Sequence, residues 1–154
     1  MITGGLHHLL NVFRGGELAP EDRAVLLEEV FVAVAGRAVS ADTNINPREV
    51  ETVQRLYKRA FGGEIAASAV RSAANSELFE TTPLVSYVKA AGRRLSGEDK
   101  HLICDSVREI ITADGRVGKW EIDFFNQMAD ALRMTPAQIA GLFQQDPRPR
   151  GRRS

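Results

Sequence analysis

A chain of 154 residues favours one domain and can bury roughly 68–70% of the surface its unfolded form exposes. Its 20 acidic and 20 basic residues cancel, which excludes a general polyanion binder and leaves only local charge asymmetry to interpret. There is no apolar run of about 18 residues to span a membrane and no basic-then-apolar leader, and the single cysteine, Cys104, fits a reducing cytoplasm.

Leu6, Leu9, Leu10 and Phe13 recur at helical spacing and predict a short helix ending before Gly15-Gly16, lying against the rest of the chain or extending from it. Pro20 suits a first helical position, and Glu21 and Asp22 complement the helix dipole there. Val25, Leu26, Leu27, Val30, Phe31, Val34 and Ala38 then form an apolar stripe that carries a second helix to about Ala41. Asn46-Pro47-Arg48-Glu49 starts a third, with an Asn cap, Pro at the first position and Glu at the third. Val50, Val53, Leu56, Tyr57 and Phe61 form its buried face, and Gly62-Gly63 stop it. Ile65, Ala66, Ala69 and Val70 predict a fourth helix, of small residues that let a neighbour come close. From Ser72 to Thr82 the pattern weakens, which marks a seam.

Thr82-Pro83 opens a helix with Leu84, Val85 and Val88 that ends near Gly92. Ser96 caps the next, with Asp99 three residues on, and Leu102, Ile103, Val107, Ile110 and Ile111 lead to a turn at Asp114. Ile122, Phe125, Met128, Ala129 and Leu132 continue beyond it, and Thr135-Pro136-Ala137-Gln138 boxes the start of a last helix holding Ile139, Leu142 and Phe143. No segment alternates with period two. The expected architecture is all-α, a compact bundle of about seven to eight helices over residues 1–145, in two pseudo-repeated halves of roughly 1–72 and 73–144. Residues 146–154, Pro- and Arg-rich without an apolar anchor, read as a disordered tail.

The halves share a plan. Asp114 follows Asp42, Val117 follows Ile45 and Glu121 follows Glu49 at one interval of 72 residues, and the same interval pairs Phe31 with Ile103, Ala35 with Val107, Val53 with Phe125 and Leu56 with Met128. Each half is therefore a helix, a turn with an acid, and a second helix opened by Glu. Asp42, Asn44 and Asn46 alternate like the opening of a calcium loop, but the sixth position, which needs Gly, is Pro47 or Lys119, and the twelfth, which needs Glu, is Val53 or Phe125. An EF-hand is excluded. Two readings of the acids remain open. Each Glu can cap its own helix while each Asp accepts turn amides, which is the simpler account. Alternatively Asp42, Glu49, Asp114 and Glu121 converge, with Asn44 and Asn46 beside them, on a divalent cation.

Ala-Asp-(Gly)-x-(Ile/Val)-x-x-x-Glu, placed twice between roughly Val25 and Phe143, resembles the tellurite-resistance TerB-like domain, also found in DjlA-type co-chaperones. The resemblance implies a helical bundle with an acidic, metal-binding surface, used in stress-linked assemblies near the bacterial membrane. It maps that surface onto Asp42, Glu49, Asp114 and Glu121, and the ion implied is calcium or magnesium in preference to zinc. The chain departs from the pattern at Thr43, where Gly is usual, and at Arg116 and Lys119, whose charge can neutralise the second turn. The Asn-rich first turn is then the better ion site. No His-Pro-Asp of a J-domain follows, so co-chaperone activity does not carry over.

The remaining residues are bland. His7 and His8 are adjacent on a helix and make a poor chelate, His101 stands alone, and Cys104 reads as a small core side chain. Trp120 is either half-buried packing or an exposed anchor. Four tail arginines without interleaved aromatics favour a solubilising tail over nucleic-acid binding, and peripheral membrane association stays open. The expected function is a non-enzymatic interaction or scaffold module in the cytoplasm with a protein partner, of unspecified oligomeric state. The alternative, a metal-dependent hydrolase using the same carboxylates, lacks a further base, a nucleophile or a phosphate loop.

Overall fold

The protein is described by a computed structural model at residues 6–39, 47–75, 82–113 and 115–144. Among these residues the chain is all-helical, with eight α-helices and no strand: α1 (His7–Phe13), α2 (Arg23–Val39), α3 (Pro47–Phe61), α4 (Ala67–Ala74), α5 (Leu84–Gly92), α6 (Gly97–Ile111), α7 (Lys119–Ala131) and α8 (Pro136–Gln144). Pro20 opens a short 3-10 turn, Pro20–Asp22, from which α2 then runs. The helix ends follow local chemistry. Ser96 Oγ accepts from the Asp99 amide at 3.0 Å while Asp99 Oδ2 accepts from the Ser96 amide at 3.1 Å, a complete capping box. Thr135 and Gln138 repeat the exchange at 2.8 and 3.1 Å before α8. Gly62, at a φ of +83° that only glycine adopts without strain, ends α3.

Helices α2 and α6 pack on each other and divide the apolar interior into two clusters. On one side Leu26, Val30, Ala33 and Val34 of α2 meet Leu9 and Val12 of α1, Tyr87 and Val88 of α5, Ile103, Cys104 and Val107 of α6, Phe125 and Met128 of α7, and Leu142 of α8. On the other side Phe31, Val32, Ala35, Ala38 and Val39 of α2 meet α3, α4 and Ile110 of α6. From Glu29 to Gly36 every residue of α2 is buried, because both clusters draw on it. The small residues of α4 do lie against α2 as expected. Tyr57, wedged between the Phe31 and Phe61 rings at 6.2 and 5.1 Å, keeps its hydroxyl satisfied by donating to Glu28. Glu109 of α6 pairs with Arg59 at 3.0 Å and Arg55 at 3.7 Å, which ties α3 to the last turns of α6.

The first helix lies on the bundle, against α2 and α5. Its contact is fastened by Glu29, a carboxylate on the buried stripe of α2 and only 3% exposed. Glu29 Oε1 accepts from the Leu9 amide at 2.9 Å and Oε2 lies 2.7 Å from His8 Nδ1. His8 is therefore held against α2. Val25, Ile122 and Phe143, which belong to the expected apolar stripes, lie at the surface, since each faces the side of its helix that no neighbour covers. Phe143 still sets its edge against Phe125, ring centroids 5.2 Å apart. The expected disordered tail lies outside the described residues.

Candidate functional site

Among the described residues α3 runs from Pro47 and α7 from Lys119, and the sequence interval of 72 relates Glu49 of the one to Glu121 of the other. Glu49 and Glu121 consequently both stand at the third position of a helix. Both are buried, at 3% and 7% exposure, an unusual place for a carboxylate unless it is hydrogen-bonded. Ile110 joins the same apolar cluster as Ala38, Val39, Val50 and Val53, so the ends of α2 and α6 abut one core with the start of α3.

At the second junction, Thr112 closes α6, its hydroxyl donating to the Arg108 carbonyl at 2.8 Å, and Gly115 takes a positive φ of 81° to reverse the chain. Glu121 Oε1 then accepts from the Gly118 amide at 2.5 Å. This is one half of a capping box, since glycine has no side chain to return the bond. The approach needs that glycine, because a Cβ at position 118 would lie 2.8 Å from the carboxylate oxygen. The negative group also sits at the positive end of α7, where the dipole favours it. Its second oxygen accepts no hydrogen bond from a described residue. At the first junction the residue corresponding to Gly118 is Asn46, and Thr52 Oγ1 donates to the Arg48 carbonyl at 2.8 Å within the first turns of α3.

Of the six residues expected to line an ion site, the structure places Glu49 and Glu121, while Asp42, Asn44, Asn46 and Asp114 lie outside the described residues. Among the described residues no group of three or more His, Cys, Asp or Glu side chains is placed to hold a metal ion. The oxygen-bearing side chains of the six expected residues are of the type that hard cations such as calcium or magnesium take as ligands. Trp120, the residue before Glu121, is 69% exposed, which settles its two readings in favour of the surface, and Val117 and Ile122 are exposed beside it in the chain. Cys104 is fully buried, and removal from water, with Asp105 a lesser influence, pushes its thiol up to about 12, so it is a core side chain and no nucleophile. Sequence reasoning passed over Glu29 as a polar anchor. Its signal was an acid between Leu26, Val30 and Ala33 on one face of α2.

The model of the tellurite resistance protein TerB family matches residues 28–144. The chain belongs to the TerB family. That match begins in the second turn of α2 and ends with α8, and so takes in both acidic junctions while leaving out α1. Neither the curated proteins nor the solved structures contain a match to the chain. No helix among the described residues is long and apolar enough to cross a membrane.

Proposed function

We propose that this TerB-family chain is a non-enzymatic interaction module of the cytoplasm, linked to tellurite or general stress response, whose acidic helix junctions hold a divalent cation, calcium or magnesium before zinc. The observation that carries the reading is the matched burial of Glu49 and Glu121 at the third position of α3 and α7. A buried carboxylate costs stability unless its lone pairs are used, and the Gly118 amide occupies one oxygen of Glu121, leaving the other as a donor. Asp42, Asn44, Asn46 and Asp114 add oxygen donors in the adjoining turns. Trp120, exposed one residue from Glu121 on the first turn of α7, supports a protein partner, because exposed indoles are enriched where interfaces concentrate their energy.

Thermal unfolding with calcium, magnesium, manganese or zinc tests the reading. An ion at a hundred times its Kd adds about 2.7 kcal/mol, or ~5–11 °C in Tm for a chain of this size. The gain should vanish in Asp42→Asn and Glu49→Gln variants. If chelator and all four ions leave the native protein unmoved, the ion reading is wrong.

A further inference from the structure

A cavity of about 150 Å³ opens where the end of α5, the first turns of α6 and the end of α7 meet. Four of the side chains around it are cationic, Lys89, Arg93, Lys100 and Arg133, and none is acidic. Among the described residues none of these four side chains has an ion-pair or hydrogen-bond partner. The acid closest in sequence, Asp99, is already engaged with the Ser96 amide and with Arg23 at 4.0 Å.

Helix dipoles do not account for the cluster. The C-termini of α5 and α7 end here, each equivalent to about half a negative charge, so together they offset roughly one of the four positive charges. The excess is costly as built. Lys89 and Arg93 stand four residues apart at the end of α5, where like charges repel. Arg133 follows α7 in a left-handed conformation, φ 58°, and is the only non-glycine residue with positive φ among those described. The Arg133 amide bonds to the Asp130 carbonyl at 3.0 Å and the Met134 amide to the Ala129 carbonyl at 2.9 Å, the paired closure that ordinarily takes glycine at this position. Strain retained by a charged residue at a cavity mouth points to use by a ligand. Gly92 is buried beneath, against Leu132, where a Cβ would come within 3.4 Å.

We propose that this cavity binds a phosphoryl dianion, either free inorganic phosphate or the headgroup of a phosphomonoester lipid, through Lys89, Arg93, Lys100 and Arg133. At about five times the ~30 Å³ share of a liquid water it admits one phosphoryl group. It falls well short of the roughly 300 Å³ or more that larger organic ligands require.

The test titrates inorganic phosphate, at constant ionic strength, into the whole protein and into Arg133→Gly and Arg93→Gln/Lys100→Gln variants, reading amide chemical shifts. Saturable shifts confined to the neighbourhood of Gly92, Lys100 and Arg133, absent with chloride, are expected. Affinity should fall about tenfold for each cation removed, the size of one charge-assisted hydrogen bond. Arg133→Gly relieves the backbone and should melt no lower than the native protein, so its loss of binding cannot be ascribed to unfolding. Flotation with phosphatidylcholine vesicles, with and without phosphatidate, distinguishes the sources. Phosphatidate-dependent flotation lost in the variants assigns the lipid, and phosphate shifts without flotation assign the free ion. No saturable shift and no phosphatidate-dependent flotation, or responses identical in native protein and variants, would overturn the proposal.

Discussion

Replacing Glu29 by Ala should loosen α1 from the bundle. Helix α1 begins without a side-chain cap of its own, and Glu29 supplies one from α2 by accepting the Leu9 amide at 2.9 Å. Loss of the carboxylate leaves that amide buried and unmatched, a cost of about 1–3 kcal/mol. The His8 contact at 2.7 Å adds little, because the imidazole is 33% exposed and a partly solvated pair contributes about 0–1 kcal/mol. The carboxylate's own desolvation, relieved in the variant, works in the opposite direction, so a net loss of about 2 kcal/mol is expected, near 4–8 °C in Tm. Glu29→Gln retains an oxygen for Leu9 and should cost less than half as much. Urea unfolding followed by circular dichroism gives the energies, and hydrogen exchange at the Leu9 amide gives the mechanism. If Ala and Gln variants are equally stable, or if Leu9 exchanges no faster in the Ala variant, Glu29 does not act as the cap of α1.

Gly118→Ala places a methyl 2.8 Å from Glu121 Oε1 and should swing the carboxylate away, costing about 0.5–2 kcal/mol as a lost cap; an unchanged urea midpoint would refute the requirement for glycine. The Cys104 thiol, ordinarily near 9.0 and raised to about 12, favours the folded state fully below about pH 9, and that contribution drains away as pH rises toward about 12. Comparison of stability against pH for the native protein and Cys104→Ala should therefore show the native protein losing more over that window, and a thiol reagent at pH 8 should label Cys104 only as fast as the chain unfolds. The single tryptophan, Trp120, should fluoresce as a water-exposed indole in the native state, and Trp120→Ala should move stability by no more than about 0.5 kcal/mol while weakening capture of a partner.

The helices were legible wherever two local devices coincided. Ser96 with Asp99, Thr135 with Gln138, and Pro47 with Glu49 each combine a start signal with the apolar spacing behind it, and each begins a helix within a residue of its expected place. Cys104 was legible for a similar reason, as one small residue in an apolar stripe. What could not be read was which residues from distant segments meet. The link from Glu29 to α1 joins residues 20 and 21 apart, and the cations at the end of α5 find Arg133 only because α5 packs on α7. Spacing along one helix contains no information about either.

The interval of 72 shows the same boundary from the other side. It relates Glu49 to Glu121, and both carboxylates are buried. One residue on, it fails, for Val50 is 4% exposed and its counterpart Ile122 is 48% exposed. Helix starts depend on local capping chemistry, which a short stretch of sequence carries by itself. Burial depends on neighbours, and these differ, since α3 packs on α2, α4 and α6 while α7 packs on α5 and α6. Two junctions with the same acids thus sit in different surroundings, the first with Val50 covered, the second with Trp120 and Ile122 in solvent. The start of α7 therefore carries an exposed large apolar surface, Trp120 and Ile122, that the described first turn of α3, with Val50 buried, lacks.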